Sequence, residues 1–327
     1  MLNKMKAMLT ISLLVCINYS AVANNKDSKH SAGKEWDKQA QPGDTRQVRT
    51  ASSPAWLAAV GQMKMQNGKE VGDCTLVLVG HEDTRLARVA ITNSHCIEDL
   101  YAIKKPQLPS KVKVTFTTER GEVVNRTVTD IFSDGRFVYS LDPADDYAIV
   151  VLDKAISASV ILPLVYEADF AYNYRDFIFD PEYNDDPEMA VSRKTYKEII
   201  AGYSADLNEH LGRGGKNLTY DDNCLSASIN EVEEQGNDIE VEKVKNCYAY
   251  PGASGGAFVV SYYDTEEENI YGSYGKQIVV LVGLNRGTQG EKVLSNGQYD
   301  RSFREIVPIL NFVDDLDEAV EKYNTTL

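Results

Sequence analysis

A histidine, a carboxylate and a serine stand at three separate points of the chain, and together they could form a nucleophilic site. His95 closes one apolar run, Asp146 precedes another, and Ser254 lies among three glycines. In such a site the carboxylate orients the imidazole, which takes the serine proton, and the serine oxygen attacks a carbonyl carbon. Each residue also has a plain structural interpretation: a core histidine, an acid that ends a strand, and a serine in a tight turn.

The serine lies in a glycine-rich segment with the composition that acyl transfer requires. The nucleophile must be exposed on a sharp turn, which glycine permits, and backbone N–H groups must point at the oxygen that becomes negative. The N–H groups of Gly252 and Ser254 are the candidate oxyanion donors. A serine between glycines is by itself a weak signal, because any tight turn has this composition.

The first residues of the chain predict a compartment. Two lysines, an apolar run over residues 8–17 and small residues over 21–23 predict a secretory signal peptide over 1–23, cleaved before Asn24. The apolar run is shorter than the roughly 20 residues that span a bilayer, so no membrane span is expected. The mature protein is therefore predicted to be secreted or periplasmic.

Cysteine usage fits an oxidising compartment. An even number of cysteines in an exported chain suggests two disulfides, and the residues alone leave three connectivities open. No C-x-x-C pair occurs, so a structural zinc site is not predicted, and neither a catalytic metal nor a cofactor is expected. The four cysteines outside the signal peptide are Cys74, Cys96, Cys224 and Cys247.

The polarity pattern divides the rest of the chain. Residues 24–53 are polar and are expected to form a pro-segment or a mobile N-terminal arm, with Arg46 and Arg49 as candidate processing points. Short apolar or alternating runs rich in Val, Ile and Thr then predict two antiparallel β-units, over about 54–160 and about 198–300.

Two further segments differ from the β-units. Residues 165–197 are rich in tyrosine and acids and lack a clear period, which predicts a long connecting insertion. Apolar residues at spacings of three and four predict an amphipathic C-terminal helix over 303–327. The acids of the insertion could hold calcium, although a solvated loop is the simpler interpretation because the EF-hand spacing is absent. These acids are Asp176, Asp180, Glu182, Asp185, Asp186 and Glu188.

The charge balance constrains the partners. The chain has 34 basic and 49 acidic residues, with a formal net charge of −15. Nucleic-acid binding requires clustered Lys and Arg, so nucleic acid is not an expected partner.

Three motifs taken together resemble the chymotrypsin-like serine peptidases. They are Thr92-Asn93-Ser94-His95-Cys96, Asp146-Tyr147-Ala148-Ile149 and Gly252-Ala253-Ser254-Gly255-Gly256, in the chain order His, Asp, Ser of that family. The resemblance covers about residues 54–312 and implies an all-β fold of two antiparallel Greek-key barrels. It also implies that His95 is the general base, Asp146 orients it and Ser254 is the nucleophile, with Gly252 and Ser254 forming the oxyanion hole.

Two further segments are similar to the bacterial glutamyl-endopeptidase-like (V8-like) branch of this family. They are Gly202-Tyr203-Ser204-Ala205-Asp206 and Asn246-Cys247-Tyr248-Ala249-Tyr250-Pro251-Gly252. The family resemblance also implies the disulfide pairs Cys74–Cys96 and Cys224–Cys247.

The sequence departs from the family pattern where activation and specificity are decided. Ala253 replaces the aspartate that accepts the new N-terminal ammonium of a zymogen, so the loop is either preformed or controlled sterically by the pro-segment. The resemblance assigns Tyr248, Ala249, Asn285 and Arg286 to the substrate pocket. Tyr248 stands where trypsin-like members carry an acid, and Asn285 stands where the V8-like branch carries a histidine. Arg286 could offer a cation to an acidic substrate, although a solvent-facing arginine is the simpler interpretation.

The sequence therefore predicts an exported serine endopeptidase that acts on protein or peptide substrates through an acyl-enzyme, without a cofactor. The alternative from another class is a protease-shaped binding protein that has kept the barrels and does little chemistry. A calcium-dependent adhesion module is a third, more distant hypothesis.

Overall fold

The computed structural model describes residues 40–67, 70–97, 112–132, 143–179, 196–234, 237–263, 277–287 and 300–326. The predicted signal peptide and most of the acids of the predicted insertion lie outside these residues. None of the described helices is long and apolar enough to cross a membrane.

The N-terminal half forms a closed antiparallel barrel, called barrel 1. Its strands neighbour each other in the order β2-β5-β6-β7-β4-β3, and β2 pairs with β3 to close the circle. Strand β5 shows why these segments form strands: Val112, Val114 and Phe116 are fully buried while Lys113 between them is exposed. The strands are β2 (Val60–Asn67), β3 (Glu70–Gly80), β4 (Leu86–Thr92), β5 (Val112–Thr117), β6 (Val123–Phe132), β7 (Ala148–Ser157) and a short outer strand β8 (Leu164–Val165).

The C-terminal half forms barrel 2, which closes in the same way. Its strand order is β10-β11-β14-β13-β12-β9, and β9 pairs with β10. The predicted all-β fold class, with two antiparallel barrels and a C-terminal helix, is confirmed. The strands are β9 (Lys197–Gly202), β10 (Thr219–Glu234), β11 (Asn237–Lys245), β12 (Gly256–Tyr263), β13 (Gln277–Gly287) and β14 (Arg304–Pro308).

Two helices lie outside the barrels. Helix α1 (Ala168–Phe179) begins inside the segment that was expected to lack regular structure. It forms there because its aromatic side chains have a partner: the Phe170 ring stacks on Tyr262 of β12, with the ring centroids 5.3 Å apart. Helix α2 (Val313–Tyr323) buries Leu316 and Val320. It is shorter than the predicted helix over 303–327 because residues 304–308 form β14.

The described part of the expected N-terminal arm is packed against the barrels. Strand β1 (Gln47–Val48) pairs with β10. Arg46 is 6% exposed and forms ion pairs with Asp44 at 2.7 Å and Asp206 at 2.8 Å. Arg49 donates to the carbonyl of Thr117 at 2.7 Å. Polarity suggested mobility here, but the two arginines fix residues 46–49, and Arg46 is too buried to be an accessible processing point.

Both disulfides implied by the family resemblance are formed, Cys74–Cys96 and Cys224–Cys247. The first joins β3 to the turn that follows β4. The second joins β10 to the segment that approaches Ser254.

Candidate active site

His95 lies on a short 3-10 turn, Ser94–Cys96, directly after β4. The Cys74–Cys96 disulfide ties this turn to β3, and the buried Asn93 donates from Nδ2 to the carbonyl of Asp146 at 2.7 Å. The imidazole itself is 31% exposed, so it reaches solvent from a turn that is fixed underneath. The apolar β4 and the disulfide therefore hold the ring at the surface of barrel 1.

Asp146 accepts hydrogen bonds from the imidazole and from the turn that carries it. His95 Nδ1 lies 2.7 Å from Asp146 Oδ2, and the His95 backbone N–H donates to Oδ1 at 3.0 Å. The Ser94 hydroxyl also donates to Oδ1, at 2.8 Å. The carboxylate thus fixes both the ring and the backbone of the turn.

The environment keeps Asp146 ionised. Burial by itself raises the pKa of a carboxyl, but the hydrogen bonds and charge of His95, together with the Ser94 hydroxyl, hold the pKa of Asp146 below its usual value. An ionised carboxylate only accepts hydrogen bonds, so Nδ1 of the neutral imidazole carries the proton. The other ring nitrogen, Nε2, then has a free lone pair and can act as a base.

The imidazole also lies close to two sulfur atoms. A ring nitrogen of His95 and the sulfurs of Cys74 and Cys96 lie within 4.8 Å of one another. The sulfurs form a disulfide, so they cannot act as thiolate ligands. This cluster is therefore a structural support for the histidine and not a metal site.

Ser254 lies at the seam between the barrels, next to that disulfide. Its carbonyl accepts from the Thr75 backbone N–H at 2.8 Å and lies 3.8 Å from Cys96 Sγ. The serine thus lies beside the turn that carries His95. Its hydroxyl donates to the carbonyl of Arg286 at 3.4 Å, and within the described residues it makes no hydrogen bond to His95.

The turn before Ser254 presents two backbone N–H groups to the cleft. The carbonyl of Pro251 accepts from Ala205 N–H at 2.7 Å, so the N–H of Gly252, on the opposite side of the same trans peptide, points the other way. Gly252 has φ of +95°, and a Cβ there would lie 2.7 Å from the Tyr203 carbonyl. In the part of the chain that the structure describes, neither the Gly252 nor the Ser254 N–H has an intramolecular acceptor.

The oxyanion loop, residues 250–255, is held by neutral hydrogen bonds. Ala253 is buried, and its carbonyl accepts from Asn285 Nδ2 and from the Gly256 N–H, each at 2.9 Å. The Gly255 N–H donates to the Asn285 carbonyl at 2.8 Å. Asn285 was assigned to the substrate pocket; the structure places it beneath the loop, with 1% exposure.

Arg286 is the residue whose environment the sequence least revealed. The solvent-facing interpretation is wrong, because the side chain is 8% exposed and its Nε lies 3.1 Å from Asp146 Oδ2. Its Nη1 lies 2.5 Å from Glu305 Oε2, and neither this contact nor Glu305 was anticipated. The available signal was a single arginine near the end of the mostly apolar strand β13.

The other two residues assigned to the pocket lie on the approach to the loop. Tyr248 is partly exposed and its N–H donates to Asp221 Oδ2 at 2.9 Å, whereas Ala249 is 4% exposed. The structure thus brings His95, Asp146, Ser254 and Arg286 to one seam, with Tyr248 and Ala249 preceding the oxyanion loop.

Two solved structures are similar in fold. The protease Anisep from Arthrobacter nicotinovorans has 12% sequence identity and a TM-score of 0.43, over 80% of this chain and 92% of that chain. The scabies mite inactivated protease paralogue S-I1 has 11% identity and a TM-score of 0.49, over 82% of this chain and 96% of that chain. No protein-family model and no curated protein matches the sequence. Neither structural similarity carries an argument about activity, which has to rest on the residues of the site.

Proposed function

We propose that this protein is an exported serine endopeptidase that cleaves protein or peptide substrates through an acyl-enzyme. One observation carries the proposal: an imidazole held by an ionised carboxylate, His95 Nδ1 to Asp146 Oδ2 at 2.7 Å, lies at the same seam as a serine on a glycine turn. The N–H groups of Gly252 and Ser254, which have no acceptor among the described residues, supply the remaining requirement of acyl transfer.

The reaction follows from these positions. His95 Nε2 takes the proton of the Ser254 hydroxyl, and Oγ attacks the substrate carbonyl carbon while the N–H groups of Gly252 and Ser254 stabilise the negative oxygen. The protonated imidazole, stabilised by Asp146, gives its proton to the leaving amine, and an acyl-serine remains. A water molecule, deprotonated by His95, then hydrolyses this ester.

The nucleophile has to turn before the first step. In the resting arrangement the Ser254 hydroxyl donates to the Arg286 carbonyl, at the long distance of 3.4 Å. Rotation about the serine Cα–Cβ bond re-aims Oγ, and catalytic hydrogen bonds are often long or poorly aligned before substrate binds. A bound peptide that displaces this contact completes the serine–histidine pair.

Activation does not use the zymogen salt bridge. Ala253 cannot receive an ammonium, and the oxyanion loop is held instead by the amide of Asn285 and by backbone groups. These bonds support a preformed loop over a loop that forms only after processing. Any pro-segment control would then be steric.

Two finer assignments belong to the same proposal. The segments over 202–206 and 246–252 favour the V8-like branch, although Asn285 lies beneath the oxyanion loop, so strict preference for glutamate is not proposed. Export rests on the predicted signal peptide over 1–23, and two formed disulfides fit an oxidising compartment.

A protease-shaped binding protein is the second candidate. It is favoured by the Ser254 contact with the Arg286 carbonyl, because a serine locked there never reaches the imidazole. The two candidates differ in whether Oγ can be made reactive by His95.

Labelling with a fluorophosphonate separates the two candidates, because the reagent forms an adduct only with an activated serine. We expect the adduct on Ser254 in the intact protein and its loss in Ser254→Ala, together with loss of casein hydrolysis. Ser159→Ala, which alters a serine of an exposed turn, serves as the control and keeps both signals. If the parent protein forms no adduct although its thermal melting transition shows that it is folded, the result would favour the binding protein.

A further inference from the structure

A buried arginine lies between the candidate catalytic carboxylate and a second acid. Arg286 Nε contacts Asp146 Oδ2, the same oxygen that His95 Nδ1 contacts, and Arg286 Nη1 contacts Glu305 Oε2. The side chains of Arg286, Asp146 and Glu305 are 8%, 7% and 14% exposed. Water therefore screens these charges only weakly.

We propose that Arg286 is a positioning residue of this site: it holds Asp146 in place and, balanced by Glu305, sets how readily His95 takes up a proton. The inference deepens the proposed function and rests on it. It concerns a side chain that the sequence assigned to the substrate pocket or to solvent.

The positioning part follows from how strand β13 contacts both sides of the cleft. The Arg286 side chain bonds to Asp146, which belongs to barrel 1, while the Arg286 carbonyl accepts from the Ser254 hydroxyl of barrel 2. One residue of β13 thus contacts two members of the proposed triad. A change in its position moves the carboxylate relative to the serine, and a misplacement of about 1 Å can cost about 100-fold in rate.

The electrostatic part follows from the order of the charges. Among the described residues, a chain of contacts links His95 to Asp146 from the segment before β7, Asp146 to Arg286 from β13, and Arg286 to Glu305 from β14. Asp146 favours the protonated imidazole, Arg286 opposes it, and Glu305 offsets part of the effect of Arg286. Removing the arginine charge must therefore raise the pH at which His95 is protonated, whereas removing the Glu305 charge must lower it.

The decisive experiment measures His95 directly, by an NMR titration of its imidazole in the full chain, with the signal assigned by comparison with His95→Gln. In Arg286→Gln we expect the titration midpoint to rise by on the order of one pH unit. In Glu305→Gln we expect it to fall by less, because Glu305 contacts only the arginine. Arg286→Lys keeps the charge and is expected to stay near the midpoint of the parent.

Matched controls come from an exposed ion pair elsewhere on barrel 2. Arg213 and Glu209 are 55% and 76% exposed, so Arg213→Gln and Glu209→Gln remove the same charges where solvent screens them. These variants are expected to leave the His95 midpoint unchanged. Arg286→Gln removes the cation from between two acids and could lose its fold, in which case Glu305→Gln, whose amide oxygen can still accept from Arg286, decides the sign by itself.

The pH profile of catalysis provides the second readout. The acidic limb of kcat/KM for a peptide ester should move in the same direction as the NMR midpoint in each variant. Midpoints that do not move, or that move in the same direction in Arg286→Gln and Glu305→Gln, overturn the inference. Loss of the proposed function looks different: Ser254-dependent hydrolysis is then absent from the parent, while the titration still decides whether Arg286 and Glu305 control His95.

Discussion

The two sides of the candidate active site are held by different forces. On barrel 1, ionised groups and a disulfide fix His95: Asp146 receives four hydrogen bonds from Ser94, His95 and Arg286. On barrel 2, the loop around Ser254 contains no charged residue and is fixed by neutral donors, which are backbone N–H groups, the Asn285 amide and the Thr75 hydroxyl that donates to the Gly252 carbonyl at 2.9 Å. The histidine side should therefore respond to changes of charge, and the serine side to changes of backbone shape.

Removing the charge of Asp146 is expected to have the largest effect. In Asp146→Asn the amide keeps the shape of the carboxylate, but it can donate to the imidazole and so favours the wrong tautomer, with loss of about 10⁴-fold in kcat. The rate of ester hydrolysis, measured by single-turnover kinetics, tests this expectation.

The neighbouring acid supplies the control for that substitution. Asp145 is exposed, and Asp145→Asn should leave kcat within about twofold, as surface substitutions usually do. Equal losses in the two variants would contradict the assignment of Asp146 and would move the orienting role to the adjacent position.

A methyl group on the serine side should be nearly as harmful, without any change of charge. In Gly252→Ala the new Cβ meets the Tyr203 carbonyl at 2.7 Å, and φ of +95° is unfavourable for alanine. The peptide has to rotate and withdraw one oxyanion donor, so kcat should fall by about 100- to 1000-fold. The rate at which a fluorophosphonate labels Ser254 should fall together with kcat.

Gly121 offers a matched control, because it also has a positive φ, of +81°, while a Cβ there meets nothing within 4 Å. Gly121→Ala carries the same backbone penalty on a distant hairpin of barrel 1 and should keep its activity. If both variants lose activity alike, the effect of Gly252→Ala is general destabilisation and the oxyanion assignment loses its support.

Asn285 should show a smaller effect of the same kind. Its Nδ2 donates to the Ala253 carbonyl at 2.9 Å, and Asn285→Ala leaves this buried acceptor with the Gly256 N–H alone. We expect a loss of about 1–3 kcal/mol in the free energy of unfolding, measured by urea denaturation. A pocket residue would instead change KM and leave stability unaltered, so a variant of parental stability with a raised KM would favour the original pocket assignment.

Features that depend on short segments could be predicted from the sequence, whereas contacts between distant residues could not. Strands, both disulfide pairs and the helix α2 follow from local pattern or from the family resemblance, because alternation and cysteine context are properties of short segments. The contacts of Arg286 and Arg46 could not be derived in this way. Each arginine pairs with acids that are distant in sequence, 140 residues away for Asp146 and 160 for Asp206, so only the closed barrels bring the partners together.

The same limit applies to the N-terminal residues. Their polar composition is typical of a mobile arm, and nothing local marks residues 46–49 as fixed. Their order comes from pairing of β1 with β10 and from carbonyls at the end of β5 that accept from Arg49. A polar composition is therefore not sufficient evidence of mobility, because the folded domain can supply partners for the charges.

Besides Arg286 and Glu305, barrel 2 contains a pair of buried acids that lies against helix α1 and not in the oxyanion loop. Glu242 bonds to the Ser226 hydroxyl, and Tyr174 donates to Glu198 at 2.8 Å. Burial, reinforced by the charge of Glu198, raises the pKa of Glu242 to about 8. The fold therefore favours the protonated acid, the reverse of the situation at Asp146.

The two carboxyls consequently predict opposite pH dependences of stability. Because the folded pKa of Glu242 is raised, its contribution is complete below the unfolded value of 4.5 and is lost as pH rises towards about 8. Because the folded pKa of Asp146 is lowered, its contribution is present above the unfolded value of 3.8 and is lost as pH falls. We expect the melting temperature of Glu242→Gln to decline less than that of the parent between pH 5 and about 8, by on the order of 10 °C, since linkage over about three pH units corresponds to about 4 kcal/mol and about 1 kcal/mol to about 2–4 °C. Asp146→Asn should lack the parent's loss of stability in acid, so the difference between the two proteins is largest above the unfolded value of 3.8 and shrinks as pH falls. If the melting temperature of Glu242→Gln declines with pH as steeply as that of the parent, Glu242 is ionised in the folded protein. Barrel 2 would then be held by charge as barrel 1 is.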